Sequence, residues 1–345
     1  MQHRTALLQL LAVFSLPLLF GACTKSSGHI PQHVSIAGQN SGFATIWNQG
    51  TPTPLSTVFS DAFVIKYFNG HLYVGGYQLA LNGQIQSGYW VDGQFTQLYA
   101  DPTIIANIRD LTVSGSDVYV TGWIDSSYYS IPYYWKNGQK ITLPAGPGSF
   151  YPVGQTSGIA VSNGDVYVSG TVLTNSTGHY FAAYWKNGVL IPLGDSVNDN
   201  SYGTGIALSG SDVLVCGIAS GIRNNYIMLW TNGAPTMLSN DQMVAQTGGS
   251  IAVSGSDVYV TGTVTYNYQN YTSAAYWKNG TPVFLTHGTS NATANGIFAD
   301  AFDVLVAGSI VNSSGTTIAT YWKDNNPVAL PDSTTTSVAR SVCAY

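Results

Sequence analysis

Val113-Ser114-Gly115-Ser116-Asp117-Val118-Tyr119-Val120-Thr121-Gly122 recurs unchanged as Val253 to Gly262, and looser copies run Val161 to Gly170, Leu208 to Gly217 and Ala299 to Gly308. A second signature follows it: Tyr134-Trp135-Lys136-Asn137-Gly138, repeated at Tyr184 to Gly188 and Tyr276 to Gly280. The Trp of this signature falls at 47, 90, 135, 185, 230, 277 and 322, at intervals of 43, 45, 50, 45, 47 and 45 residues. Eight residues after every one stands a leucine: Leu55, Leu98, Leu143, Leu193, Leu238, Leu285 and Leu330. A fixed period of this size marks a repeat architecture in which each unit buries its apolar face on the next.

Each repeat reads as four short strands. Strand A is Ile251 to Ser254 and strand B is Val258 to Gly262, joined by a tight turn at Gly255-Ser256-Asp257. Strand C is Ala274 to Trp277, and strand D ends at Leu285. Asn279-Gly280 between C and D favours the paired positive φ angles of a type I′ hairpin, and Asn137-Gly138, Asn187-Gly188, Asn232-Gly233 and Asp92-Gly93 serve the same turn. Four strands in about 45 residues make one propeller blade. Pro52, Pro235, Pro282 and Pro327 all lie five residues after a repeat Trp, in strand D. Proline has no N–H for an interior ladder, so D is expected at the outer edge, with strand A lining a central channel. The ends of the chain complement each other. Val34 to Gly38 aligns with a strand B that has no A before it, and Ser337 to Ser341 with a strand A that has no B after it. The expected fold is therefore all-β, a seven-bladed β-propeller closed by pairing of the C-terminal strand with the N-terminal blade.

The A–B half, most closely Gly158 to Gly170 (GIAVSNGDVYVSG), resembles the bacterial SBBP family of β-propeller repeats; the Trp-containing half does not follow that pattern. The resemblance implies architecture and no activity. Upstream, Ala6 to Phe20 is an apolar run shorter than the roughly 20 residues a spanning helix needs. It ends in Leu19-Phe20-Gly21-Ala22-Cys23, which is similar to the lipobox of bacterial lipoprotein signal peptides. The resemblance implies cleavage before Cys23 and acylation of that residue, and hence a lipid bilayer as partner. Thr24 is not the Asp that retains such proteins at the inner membrane in some bacteria, so an outer-membrane location is expected. The organisation reads as a signal peptide over 1–22, a lipidated Cys and flexible tether over 23–33, and the propeller over 34–345.

Composition narrows the function. Only 8% of residues are charged, the formal net charge is -5, and all sixteen acids are Asp. A nucleic-acid surface would be basic, so no nucleic-acid partner is expected. A paired-carboxylate glycosidase would have to draw on a short set of Asp residues outside the repeated turns. No zinc-protease, serine-hydrolase, CxxC or phosphate-loop motif occurs, and no cofactor is expected. His29, His33, His71, His179 and His287 are scattered, so no metal site is expected from them. Asp195 to Asn200 is rich in oxygen ligands but lacks the EF-hand spacing, and reads as a polar loop. Cys216 reads as a small strand residue and Cys343 as aligned with a turn serine, both as free thiols. The seven repeat Trp are assigned to inter-blade core rather than to sugar stacking. The turn residues Asp117, Asp165, Asp212, Asp257 and Asp303 are expected to bind their own backbone. Lys136, Lys186, Lys278 and Lys323 are expected as solvated charges.

The variable B–C and D–A loops share one face, and recognition concentrates in loops held by a rigid frame. They carry Trp123, Tyr128, Tyr129, Tyr151, Tyr180, Tyr226, Tyr266 and Tyr268 among Asn, Ser, Thr and Gly. Aromatic anchors mixed with small hydrogen-bonding residues make a binding surface. These eight residues are the candidate ligand contacts, for a glycan or a protein, in a single-copy, non-enzymatic envelope protein. A scaffold in an envelope assembly and a propeller lyase or hydrolase are the alternatives.

Overall fold

A computed structural model describes residues 33–345 apart from 101–104, 126–128, 146–152, 175–177, 194–199, 222–223, 267–268 and 332–334. Cys23, Tyr128, Tyr151, Tyr268 and Asp195 to Asp199 therefore lie outside the described residues. Blade 4 shows how one repeat folds. Gly154–Ser162 (A), Asp165–Leu173 (B), Tyr180–Lys186 (C) and Val189–Pro192 (D) pair antiparallel in that order. The described residues form seven such four-stranded sheets. Blades 2 to 7 are consecutive in the chain, over 60–100, 105–142, 154–192, 201–237, 243–284 and 292–329. Blade 1 takes Val34–Asn40, Phe43–Asn48 and Thr51–Pro54 as B, C and D, and its strand A is Ser337–Ala344 from the other end of the chain. That strand pairs with Val34–Asn40 from Val34 opposite Ala344 to Asn40 opposite Ser337. Innermost strands of successive blades touch, and the series returns from blade 7 to blade 1. The molecule is a seven-bladed β-propeller.

Strand D is outermost in every sheet, and Pro52, Pro235, Pro282 and Pro327 sit there directly opposite the Trp of their own blade. Each repeat Trp is at most 2% exposed, and each belongs to a different apolar cluster. The clusters lie between blades. Trp185 of blade 4 packs with Tyr119 and Leu143 of blade 3, and Trp47 of blade 1 packs with Leu305 and Leu330 of blade 7. The Leu eight residues after each Trp thus covers the Trp of the following blade, which is why the two recur in fixed step. A hydroxyl completes most seams: Ser60, Ser201, Ser239 and Ser337 each accept the N–H of a strand C residue in the preceding blade, at 2.8–2.9 Å.

The structure extends strand A beyond the reading from sequence. Ile251 to Ser254 is the end of a strand that begins at Met243. The added residues alternate in burial, as Gly154 and Thr156 in and Gln155 out, but most are small or polar, so the sequence shows no apolar alternation there. Strand A also carries a shift of pairing register against strand B, as in Thr156 opposite Gly170 and Gly158 opposite Ser169, which leaves Ser157 bulged. This bulge accounts for the invariant Gly closing strand B. A Cβ on Gly308 would meet Thr293 O at 1.9 Å and the Trp322 ring at 3.0 Å, and Gly170 is equally confined.

On the opposite face, the two turns of a blade are tied together. Asn137 Nδ2 donates to Asp117 Oδ1 at 2.7 Å, and Asn137 Oδ1 accepts the Val118 N–H. Lys136 Nζ lies 2.8 Å from Asp117 Oδ2 and 5.3 Å from the Tyr119 ring centre. Blades 4 and 6 repeat this with Asp165, Lys186 and Asn187, and with Asp257, Lys278 and Asn279. Lys323 pairs with Asp303 at 3.0 Å, and Asn232 donates to Asp212. One expectation is corrected here and another is extended. The turn Asp residues bind across to the second turn, where they were expected to bind their own backbone, and the lysines, exposed to solvent as expected, are also ion-paired. Sequence spacing hides the contact, because the partners are about 20 residues apart and adjacent only once strands B and C pair. In blade 2 the polarity is exchanged: His71 takes the turn Asp position and meets Asp92 at 2.6 Å.

Hydrogen bonds from Lys136 and Asn137 hold the Asp117 carboxyl below its ordinary value; Lys278 and Asn279 do so for Asp257, and Asn187 and Lys186 for Asp165. A depressed carboxyl contributes stability above the ordinary carboxylate range and loses it as pH falls through the folded value. Melting temperature should therefore hold from pH 7 to about 5 and fall below about 4. In the Asp117→Asn, Asp165→Asn, Asp257→Asn triple variant, that acid-side fall should shrink by a few degrees at most, since these pairs are solvent-exposed. Melts followed by circular dichroism at stepped pH check this, and an unchanged acid limb in the triple variant would contradict it.

Candidate functional site

All seven innermost strands line one central cavity of about 490 Å³. A second cavity, about 430 Å³, shares its middle and widens toward the loop-rich face between Trp123, Gln155, Tyr202 and Thr247. The shared level is a ring of bulge residues, one per blade: Arg340, Phe63, Arg109, Ser157, Thr204, Gly249 and Asn295. The bulge brings an extra residue to the channel at the same height in every blade, with a side chain in six of them and Gly249, skipped together with Ser250, in blade 6. The scaffold repeats, and this position does not.

The ring is charged on one side only. Arg340 grips Asp61 of blade 2 with two bonds, Nε to Oδ1 at 3.0 Å and Nη2 to Oδ2 at 2.6 Å. Phe63 lies between two guanidinium groups, 5.1 Å from that of Arg340 and 5.3 Å from that of Arg109. Arg109 also stacks over Trp123 at 4.6 Å. The surrounding protein, followed by the like charge of Arg340, holds the Arg109 pKa below its ordinary value. Asp125 beneath the stack has both oxygens engaged: Oδ2 accepts Trp123 Nε1 at 3.0 Å and Asn107 Nδ2 at 2.9 Å, and Oδ1 accepts the Ser130 hydroxyl. Lower in the channel, Asp110 accepts the N–H groups of Leu111 and of Ile159 in the next blade. Desolvation raises its pKa, against the opposing charge of Lys66 on the same wall.

The candidate aromatics divide by position. Trp123 is at the channel mouth but 7% exposed, its face covered by Arg109. Tyr180 stacks on Tyr202 at 5.7 Å, and Tyr202, 37% exposed, lines the mouth. Tyr226 is held by a hydrogen bond from its hydroxyl to Asp241. Tyr266 packs edge-on against Phe284 and, with Gln269, Thr286 and His287, borders a separate hollow of about 240 Å³ on blade 6. Tyr129 is exposed. Sequence reasoning thus reached the rim but missed Phe63, Arg109, Asn295 and Arg340. The available signal was the residue just before Gly158-Ile159, Gly205-Ile206 and Gly296-Ile297, the position that varies within an otherwise repeated strand. Cys343 corrects a further expectation. It pairs with Ser35 inside the ladder rather than sitting in a turn, and burial pushes its thiol up to about 12. Cys216 is likewise buried, its thiol pushed up to about 11, and both are free. Among the described residues no three His, Cys or Asp side chains converge as a metal site.

No family model and no curated protein matches the chain. Solved structures do. The chain is similar to a puromycin-hydrolysing peptidase of Mycobacterium tuberculosis, with a TM-score of 0.56 at 11% identity over 87% of this chain and 53% of that one. It is also similar to a quinoprotein alcohol dehydrogenase-like protein of Bacteroides thetaiotaomicron, with a TM-score of 0.51 at 10% identity over 90% of this chain and 77% of that one. What they share is the fold. The propeller spans about half the length of the peptidase chain it matches. At this identity neither neighbour carries its chemistry to the propeller's channel.

Proposed function

We propose that the chain is an envelope lipoprotein, anchored through acyl groups on Cys23, whose propeller is a non-enzymatic module that binds a glycan at the channel mouth on its loop-rich face. The observation that carries this reading is the ring of seven unlike bulge residues set on seven like blades, opening between Trp123 and Tyr202. A concave site with aromatic walls and a few convergent polar groups is how proteins hold small polar ligands. The alternative of a lyase or hydrolase finds less support. Asp61 is committed to Arg340, and Asp110 and Asp125 to N–H and O–H donors, so the described carboxylates around the channel have no free pair for acid–base work.

The point where the chain enters the body supports an outward-facing mouth. His33 pairs with Tyr345 at the turn end of the closing strand, opposite the loops. A tether over 23–33 reaches about 35 Å at most, little more than the roughly 30 Å length of a nine-residue strand. An anchor on Cys23 therefore favours the loop-rich face pointing away from the bilayer.

Two measurements test the reading on the full chain in detergent. Clickable palmitate should label the wild type and not Cys23→Ser. On a glycan array the wild type should bind a defined set of sugars, with binding lost in Tyr202→Ala and kept in Lys278→Ala on the turn face. Absence of any bound glycan, or equal binding by the Tyr202 variant, would overturn the binding site; palmitate on the Cys23 variant would overturn the anchor.

A further inference from the structure

Arg109 lines the channel at the level shared by its two cavities. Among the described residues no acceptor bonds its guanidinium, and its two faces rest on Trp123 and Phe63 at 4.6 and 5.3 Å. Stacking covers the faces and leaves the edge, where the five N–H donors lie. The neighbouring carboxylates are committed elsewhere, Asp61 to Arg340 and Asp125 to Trp123, Asn107 and Ser130. A guanidinium keeps its charge at any physiological pH, and among the described residues none forms an ion pair with this one.

The rest of the ring offers the opposite chemistry. The Ser157 hydroxyl donates to Gly203 O at 2.7 Å, the Thr204 hydroxyl to Cys216 O at 3.4 Å, and Asn295 Nδ2 to Ala339 O at 2.8 Å. Both hydroxyl protons and one of the two Asn295 amide protons are used within the protein, so what these residues present to the channel is mainly oxygen lone pairs. A fully deprotonated inorganic anion would meet one fork of donors and then a wall of acceptors. A ligand with one carboxylate and several hydroxyl groups would satisfy both sides, the carboxylate bidentate on Arg109 and the hydroxyls donating to Ser157, Thr204 and Asn295. The mouth, about 430 Å³, is within the ordinary size of small-ligand clefts.

Resting on the glycan reading above, we infer that the channel mouth selects an acidic sugar, a uronic acid residue whose carboxylate is held on the free edge of Arg109. The test is calorimetric titration of the detergent-solubilised full chain with a galacturonate trimer, the neutral galactose trimer and sodium sulfate. The acidic trimer should bind most tightly, and its affinity should fall with added salt. Arg109→Gln should weaken it about ten- to hundred-fold, with Arg109→Lys intermediate, while the neutral trimer is unaffected by either change. Thermal melts of both variants report whether the fold persists, and the salt dependence of the wild type reads the charge contact without any variant. Equal affinity for the two trimers, with no salt effect, would overturn the inference and leave glycan binding standing. Sulfate binding as tight as the acidic trimer's, with the neutral trimer unbound, would overturn both the uronate assignment and the glycan reading in favour of a simple anion site. Binding of none of the three would overturn the uronate assignment, and the glycan array then decides the broader reading independently.

Discussion

A chain shortened by its last nine residues, Ser337 to Tyr345, is expected to lose its cooperative melting transition or to melt at least about 15 °C below the full chain. The segment is the innermost strand of blade 1 and supplies the strand ladder that joins the chain's end to its beginning, beside the packing of Trp47 on Leu305 and Leu330. Its removal takes away a ladder of seven residue pairs, the buried side chains of Ala339, Val342 and Cys343, and the hydroxyl of Ser337 that accepts the Ala319 N–H. It also removes the grip of Arg340 on Asp61 and leaves Asp61, 4% exposed, as an unpaired buried carboxylate. At about 1 kcal/mol per hydrogen bond and about 1.5–3 kcal/mol per large buried apolar side chain, the loss is of the order of 10 kcal/mol, the size of a whole domain's stability. Circular dichroism melts of the two chains decide the matter. A shortened chain melting within a few degrees of the full one would mean that the inter-blade clusters hold the ring unaided. Restoration of the transition by the free nonapeptide would identify strand pairing as the lost element.

The second large effect concerns the repeat tryptophans. Trp185→Ala should cost about 3–5 kcal/mol, because it empties the seam shared with Tyr119 and Leu143 and leaves Pro144 O without the indole N–H that reaches it at 2.8 Å. Trp→Phe substitution separates packing from hydrogen bonding. Trp322 Nε1 and Trp277 Nε1 are buried with no partner among the described residues, whereas Trp185 Nε1 is bonded. Trp185→Phe should therefore destabilise by about 1 kcal/mol more than Trp322→Phe, since only the first change gives up a bond. Urea titrations of the two Phe variants measure the difference, and equal midpoints would show that the indole N–H contributes nothing at this seam.

The parts of the molecule legible in sequence are those that recur. Trp and Leu in step, Asn-Gly turns and prolines after the Trp each reflect a constraint present in every blade, so repetition averages over local ambiguity. Strand A was read short because its upstream half buries small and polar residues such as Gly154, Thr156, Ser201 and Gly203, so burial alternates without an apolar pattern to mark it. The Asp–Lys–Asn ties between turns escaped for another reason. Their partners lie some 20 residues apart, and no local rule pairs them until strands B and C are in register. Tyr202, outside the eight candidate contacts, emerged at the mouth, while of the candidates Tyr226 is tied to Asp241 and Tyr266 borders a hollow on blade 6.

The sequence alone determined the number of blades, the strand order within each, the outer edge and the deep burial of the seven Trp. Period, turn chemistry and proline placement are short-range properties, and they suffice for those conclusions. Only the tertiary structure decided which side chains meet in the channel. The bulge in strand A brings together Phe63, Arg109 and Arg340, residues separated by as many as 277 positions, through a shift of pairing register whose only trace in the sequence is one varying position per repeat. A channel ring made of one residue from each of seven blades exists only when the blades are assembled.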